Sequence, residues 1–256
     1  MVHGEQEPLD VAHVLAEFAD GLVQASGSPQ VDNVAMLRDG CRHALSITRH
    51  AVAQSAQLVG DAVLVAVASG ASEASVLARR CVVALGQRDW EGDVELAAAL
   101  SAAGGDGPTP MLRPVPVDLE ELASVLEGDP VRGGGRIDLR NGEVWHHSVF
   151  NDFTDDDEEE DDDEDDPPWL WVDAQGSREG YRDMELFIDT VDDRTLADRL
   201  SIAIAGRGAF RRFKDVIADD PAAAERWYTL SEDRLRGRAR AWLAAQGYTP
   251  TRALRP

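Results

Sequence analysis

Twelve consecutive acidic residues at positions 155–166 set the first limit on what this chain can become. A block of like charges without one apolar residue repels itself and cannot enter a core. The second half of the chain must therefore fold around it. Pro167-Pro168 closes the block, and residues 154–168 are expected to form an acidic disordered insert, a flexible spacer. The run supplies twelve of the formal −23 net charge. A balance of that sign disfavours attraction to nucleic acid or anionic membrane as a whole-protein property.

A second interruption lies upstream. Gly104-Gly105-Asp106-Gly107-Pro108-Thr109-Pro110, with Pro114 and Pro116 beyond, reads as a linker over residues 104–116. Before it, residues 1–103 read as a helical bundle. Val11, Val14, Leu15, Phe18 and Leu22 recur at helical spacing. A long amphipathic pattern runs over 32–59 with Asp32 as its cap, then come apolar segments at 62–68, 72–85 and 93–102. Cys41 and Cys81 fall inside these patterns, where a free thiol acts as a small hydrophobe. At 43% hydrophobic residues the chain is globular in class.

Beyond the linker the pattern changes. Leu119, Leu122, Val125 and Leu126 share one helical face. Residues 136–139 alternate, Asn141-Gly142 follows, and 143–145 resume, which predicts a β-hairpin with a type I′ turn. Trp169-Leu170-Trp171-Val172 reads as a third strand. Everything after Ser177 reads as helical: faces built on Tyr181, Met184 and Ile188, then on Leu196, Leu200 and Ile204 up to Gly206, then on Phe210, Phe213 and Ile217. A further segment opens at Trp227, and a last helix starts at Ser231 and ends at Gly247. The expected architecture is α+β: an N-terminal helical bundle, then a small α+β domain over 117–248 with a hairpin, a third strand and several helices.

Three stretches of this second half carry a resemblance. Ile137-Asp138-Leu139-Arg140-Asn141-Gly142-Glu143-Val144 comes first, then Ser177-Arg178-Glu179-Gly180-Tyr181-Arg182-Asp183-Met184-Glu185 with Phe187. Third is Gly206-Arg207-Gly208-Ala209-Phe210-Arg211-Arg212-Phe213-Lys214-Asp215, with Arg226-Trp227-Tyr228 downstream. In this order and spacing, roughly residues 115–248 resemble uncharacterised protein family 0158 of the UPF series, a bacterial family. The resemblance implies a compact α+β domain and no established activity. The acid run lengthens one segment of the family pattern, and the helical first half lies outside it.

Candidate sites are few. Gly206, Arg207 and Gly208 separate two helices, and Arg211, Arg212 and Lys214 follow, so backbone amides and cations there suit an anion or nucleotide. The spacing matches neither a P-loop nor a dinucleotide fingerprint. Residues 207–213 echo an RNA-reading strand motif, one residue short. Against both stands a simpler reading, a tight interhelical turn with Phe210 and Phe213 packed inward. From Arg207 to Pro256 eleven basic residues face six acids. Arg234 and Arg238, like Arg236 and Arg240, are four apart, which suits either phosphate contacts or a solvated helix face. The acid run is a candidate screen for that basic surface.

His146 and His147 are adjacent on a strand and point to opposite faces, so they are not expected to share a metal. No catalytic triad, nucleophile elbow or metal-ligand cluster is visible, and no catalytic residue, cofactor or metal is expected. The first residues are polar, without the basic and apolar regions of a signal peptide. The expectation is a cytoplasmic, non-enzymatic protein with a protein partner and no membrane. The alternative is nucleotide or nucleic-acid binding through the Gly-Arg-Gly block.

Overall fold

The computed structural model describes residues 55–71, 73–131, 133–147 and 168–251. The helices expected within 9–24 and 32–54, Cys41 and the acid run lie outside the described residues. The chain divides into two compact units, Met1–Pro110 and Met111–Pro256.

The described part of the first unit is three helices: α1 (Ala56–Ala68), α2 (Ala74–Arg88) and α3 (Asp93–Ala103). α1 runs across the gap expected between residues 59 and 62. Gly60 sits there because a Cβ at that position would press into the side chain of Leu96 on α3. Val63, Leu77, Leu85, Leu96 and Leu100 fill the core between the helices. Asp93 is buried with them and fully engaged. It accepts from Gln57 Nε2 at 2.8 Å, from Arg88 Nη2 at 2.6 Å and from the Trp90 amide at 2.9 Å. Cys81 packs on the same core, and burial pushes its thiol pKa up to about 11.

The second unit begins with β1 (Arg113–Val115), which pairs in parallel with the last strand, β5 (Tyr248–Pro250). This corrects the linker expected over 104–116, since its last residues belong to a sheet. Pro114 does not prevent this, because the two-stranded sheet leaves each strand a free edge. Asp118 then caps α4 (Leu119–Leu126) by accepting from the Glu120 amide. A three-stranded antiparallel sheet follows in the order β3-β2-β4, from β2 (Gly135–Asp138), β3 (Val144–His146) and β4 (Trp169–Val172).

The hairpin turn differs from the expected type I′. Asp138 N donates to Glu143 O, and Gly142 N to Asp138 O, so the loop is four residues, 139–142. Asp138 Oδ1 accepts from the Arg140 amide and Asn141 Oδ1 from the Glu143 amide, each at 2.8 Å. These local side-chain bonds stabilise the longer loop. Only Gly142 takes a positive φ, +76°. A Cβ there would also collide with the Pro116 carbonyl.

Among the described residues, four more helices follow: α5 (Arg178–Asp189), α6 (Arg194–Ile204), α7 (Ala209–Ile217) and α8 (Pro221–Ala245). α8 is a single helix of 25 residues, where a segment opening at Trp227 and a separate helix starting at Ser231 were expected. Its cap is Asp220, which accepts from Ala222 and Ala223 amides, with Pro221 at the first turn. The polar stretch that resembles a start is absorbed by the helix: Thr229 Oγ1 bonds back to Glu225 O at 3.0 Å.

At about 37 Å, α8 spans two apolar regions. Its first half carries Trp227 against Phe187 and Phe213, edge to face, with centroids 5.6 and 4.7 Å away. Its second half sends Ala239 and Leu243 into a core shared with Leu122, Val125, Leu126, Ile137 and Val172. Each unit has a packed interior, and the second is α+β. Among the described residues, no helix is long and apolar enough to cross a membrane.

Candidate interaction surface

The Gly-Arg-Gly block is the turn between α6 and α7. Gly206 and Gly208 take positive φ values of +99° and +74°, and Gly208 is the residue before α7 begins. Gly206, Arg207, Gly208, Arg211, Arg212 and Lys214 are all exposed. Two of the cations have partners close by. Arg212 Nη2 donates to the Ala205 carbonyl at 2.9 Å, tying off the end of α6. Arg211 points along its own helix to Asp215, 4.0 Å away. Asp219 takes Arg199 at 2.6 Å, and Asp220 is committed to capping α8. Phe213 is fully buried, whereas Phe210 is 37% exposed and leans on Gly180, correcting its expected inward packing. The motif lies on a turn and a helix, so its echo of an RNA-reading strand is not realised.

Arg234 and Arg238 depart from both readings offered for them, since their side chains turn inward onto a buried carboxylate. Asp183 on α5, 1% exposed, receives Arg234 Nε at 2.9 Å and Arg238 Nη1 at 2.7 Å. Arg238 Nη2 also lies 3.6 Å from Glu127 at the end of α4. Burial pushes the Glu127 carboxyl above its ordinary range, with Arg238 and Lys214 opposing and Asp183 reinforcing the shift. These residues lock α4, α5 and α8 together. The cavity beside them, lined in part by Glu127, Gln175 and Glu179, is about 10 Å³, room for about one water molecule. The signal for Asp183 was available in the sequence: with Gly180, Met184 and Phe187 it occupies the buried stripe of α5.

The remaining feature is the face of the three-stranded sheet opposite Ile137, on which Trp171 is exposed. Alternation sends Ile137, fully buried, to the core, and its neighbours Arg136 and Asp138 to the other face. Register places Trp145 opposite Arg136 on one side, Trp171 opposite it on the other, and Trp169 opposite Asp138. Three indoles and one guanidinium thus share a face. Arg136 lies over the Trp169 ring at 3.8 Å and near Trp171 at 5.8 Å. Trp171 is 61% exposed. Alternation marks these strands in the sequence, but their convergence depends on pairing register, which the sequence pattern alone does not display. Among the described residues there is no group of three or more His, Cys, Asp or Glu placed to hold a metal. His146 Nε2 instead meets Ser124 Oγ at 3.2 Å.

Fold and surface together define an α+β module with an aromatic sheet face. Residues 135–253 match the model of the Uncharacterised protein family (UPF0158). The C-terminal half carries that match, which starts about twenty residues later than the resemblance first suggested. No curated protein and no solved structure matches the chain.

Proposed function

We propose that this is a non-enzymatic, cytoplasmic bacterial protein of interaction or regulation, and that its second unit binds a protein partner through this tryptophan face of the sheet. Trp171 carries the reading. A large indole that leaves 61% of its surface in water, beside a Trp–Arg stack, is the type of residue that anchors protein interfaces. The rival reading, nucleotide or nucleic acid held by residues 206–214, has less support. Arg212 is engaged with the Ala205 carbonyl, and Arg234 and Arg238 are withdrawn to Asp183.

Affinity capture from a bacterial lysate tests the choice. Tagged full-length protein is compared with Trp171→Ala and with the double variant Arg211→Ala, Arg212→Ala, and protein and nucleic acid are scored separately. The expected result is a captured protein lost with Trp171→Ala and retained by the double variant. Capture of nucleic acid that depends on the two arginines, with no effect of Trp171, would transfer the assignment to the rival.

A further inference from the structure

We infer that the occupant of the tryptophan face is a basic segment of its protein partner, held by lysine or arginine side chains against Trp171. The inference rests on the reading that this face binds a protein, and it names the chemistry. The protein itself supplies a template for the contact: Arg136 already lies 3.8 Å over Trp169 on the same face. A second cation over the open Trp171 ring would repeat that geometry, since an indole face attracts a guanidinium or ammonium group.

Charge on and around the face favours the same occupant. Strand alternation sets Asp138 on it, Glu143 pairs across the hairpin from Asp138, and Asp173 continues the side of β4 that carries Trp169 and Trp171. Among the described residues, three carboxylates thus accompany Arg136. The twelve acids at 155–166 lie in sequence between β3 and β4, the strands carrying Trp145, Trp169 and Trp171. A field of this sign speeds the approach of a basic partner. It also disfavours the other occupants. A second copy would bring its own −23, and nucleic acid would bring phosphates.

Peptide titration of the full chain tests this. An alternating lysine–alanine peptide, its arginine counterpart and a glutamate–alanine control are followed by calorimetry and tryptophan fluorescence. Both basic peptides should bind and the control should not, and affinity should fall with salt. Trp171→Ala should weaken binding about three- to thirtyfold, and Trp171→Phe should restore part of it. Melting curves of both variants show that the fold is intact. Equal affinity in wild type and Trp171→Ala would overturn the inference, because the acids alone would then hold the peptide. Binding of the glutamate peptide, or of single-stranded RNA, as tightly as the basic peptides would overturn it too. The lysate experiment separates the two levels. A captured protein that depends on Trp171, with no Trp171 dependence for basic peptides, defeats the chemistry alone. Capture indifferent to Trp171 defeats the interaction reading itself.

Discussion

Asp183 is buried in contact with two guanidinium groups that reach it from one helix. Arg234 and Arg238 are one turn apart on α8, so their side chains descend on the same carboxylate from the same face. Removing the carboxylate takes from two cations, each about nine-tenths buried, the anion both share. Asp183→Asn should therefore destabilise the second unit by about 3–5 kcal/mol, read as a lowered denaturation midpoint at unchanged slope. Cys81 offers a second residue-level test. Only the thiolate attacks a disulfide reagent, and with its pKa near 11 about one molecule in a thousand is ionised at pH 8. In a Cys41→Ser background, a colorimetric disulfide reagent should label Cys81 far more slowly before unfolding than after it. Fast labelling of the native protein would show that the site is open.

At the scale of elements, the hairpin and α8 show where local pattern suffices and where it does not. The strands at 135–138, 144–146 and 169–172 were legible from alternation and from Trp and Val, which suit a pleated surface. The turn was not. Asn141-Gly142 signals a two-residue loop, but Asp138 and Asn141 bond to nearby amides and stabilise four. Gly142 remains indispensable for two separate reasons, its positive φ and the Pro116 carbonyl against it. Gly142→Ala should cost at least about 2 kcal/mol, checked by chemical denaturation. In α8, Ser231 imitates a start because its hydroxyl and the acids after it fit a cap, whereas Asp220 with Pro221 is the true one. The pairing of β1 with β5 was illegible because its partners lie about 135 positions apart in sequence. The tryptophan face was hidden for a related reason: its members sit on three strands, and only register brings them together.

At the scale of the whole molecule, the boundary between Pro110 and Met111 makes the second unit a candidate for independent folding. Its limits are set by β1. A fragment that begins at Met111 keeps Arg113–Val115 for pairing with Tyr248–Pro250, and Val115 for the core. A fragment that begins after Pro116 loses both. The first should show a cooperative melt, and the second a lower melting temperature or no transition. Equal melting of the two would mean that the β1–β5 pair contributes nothing to stability.

The same pair decides how the second unit responds to mechanical tension. Because β1 and β5 are parallel, the chain enters at one end of the ladder and leaves at the other. Pulling residues 111 and 251 apart therefore slides the strands past each other in shear. The bonds from Arg113 N to Gly247 O, at 2.9 Å, and from Thr251 N to Val115 O, at 2.8 Å, then bear the load together. An antiparallel pair held by its open ends would unzip one bond at a time. The first and last strands thus act as a clasp that fastens hardest along the line on which a taut chain would pull.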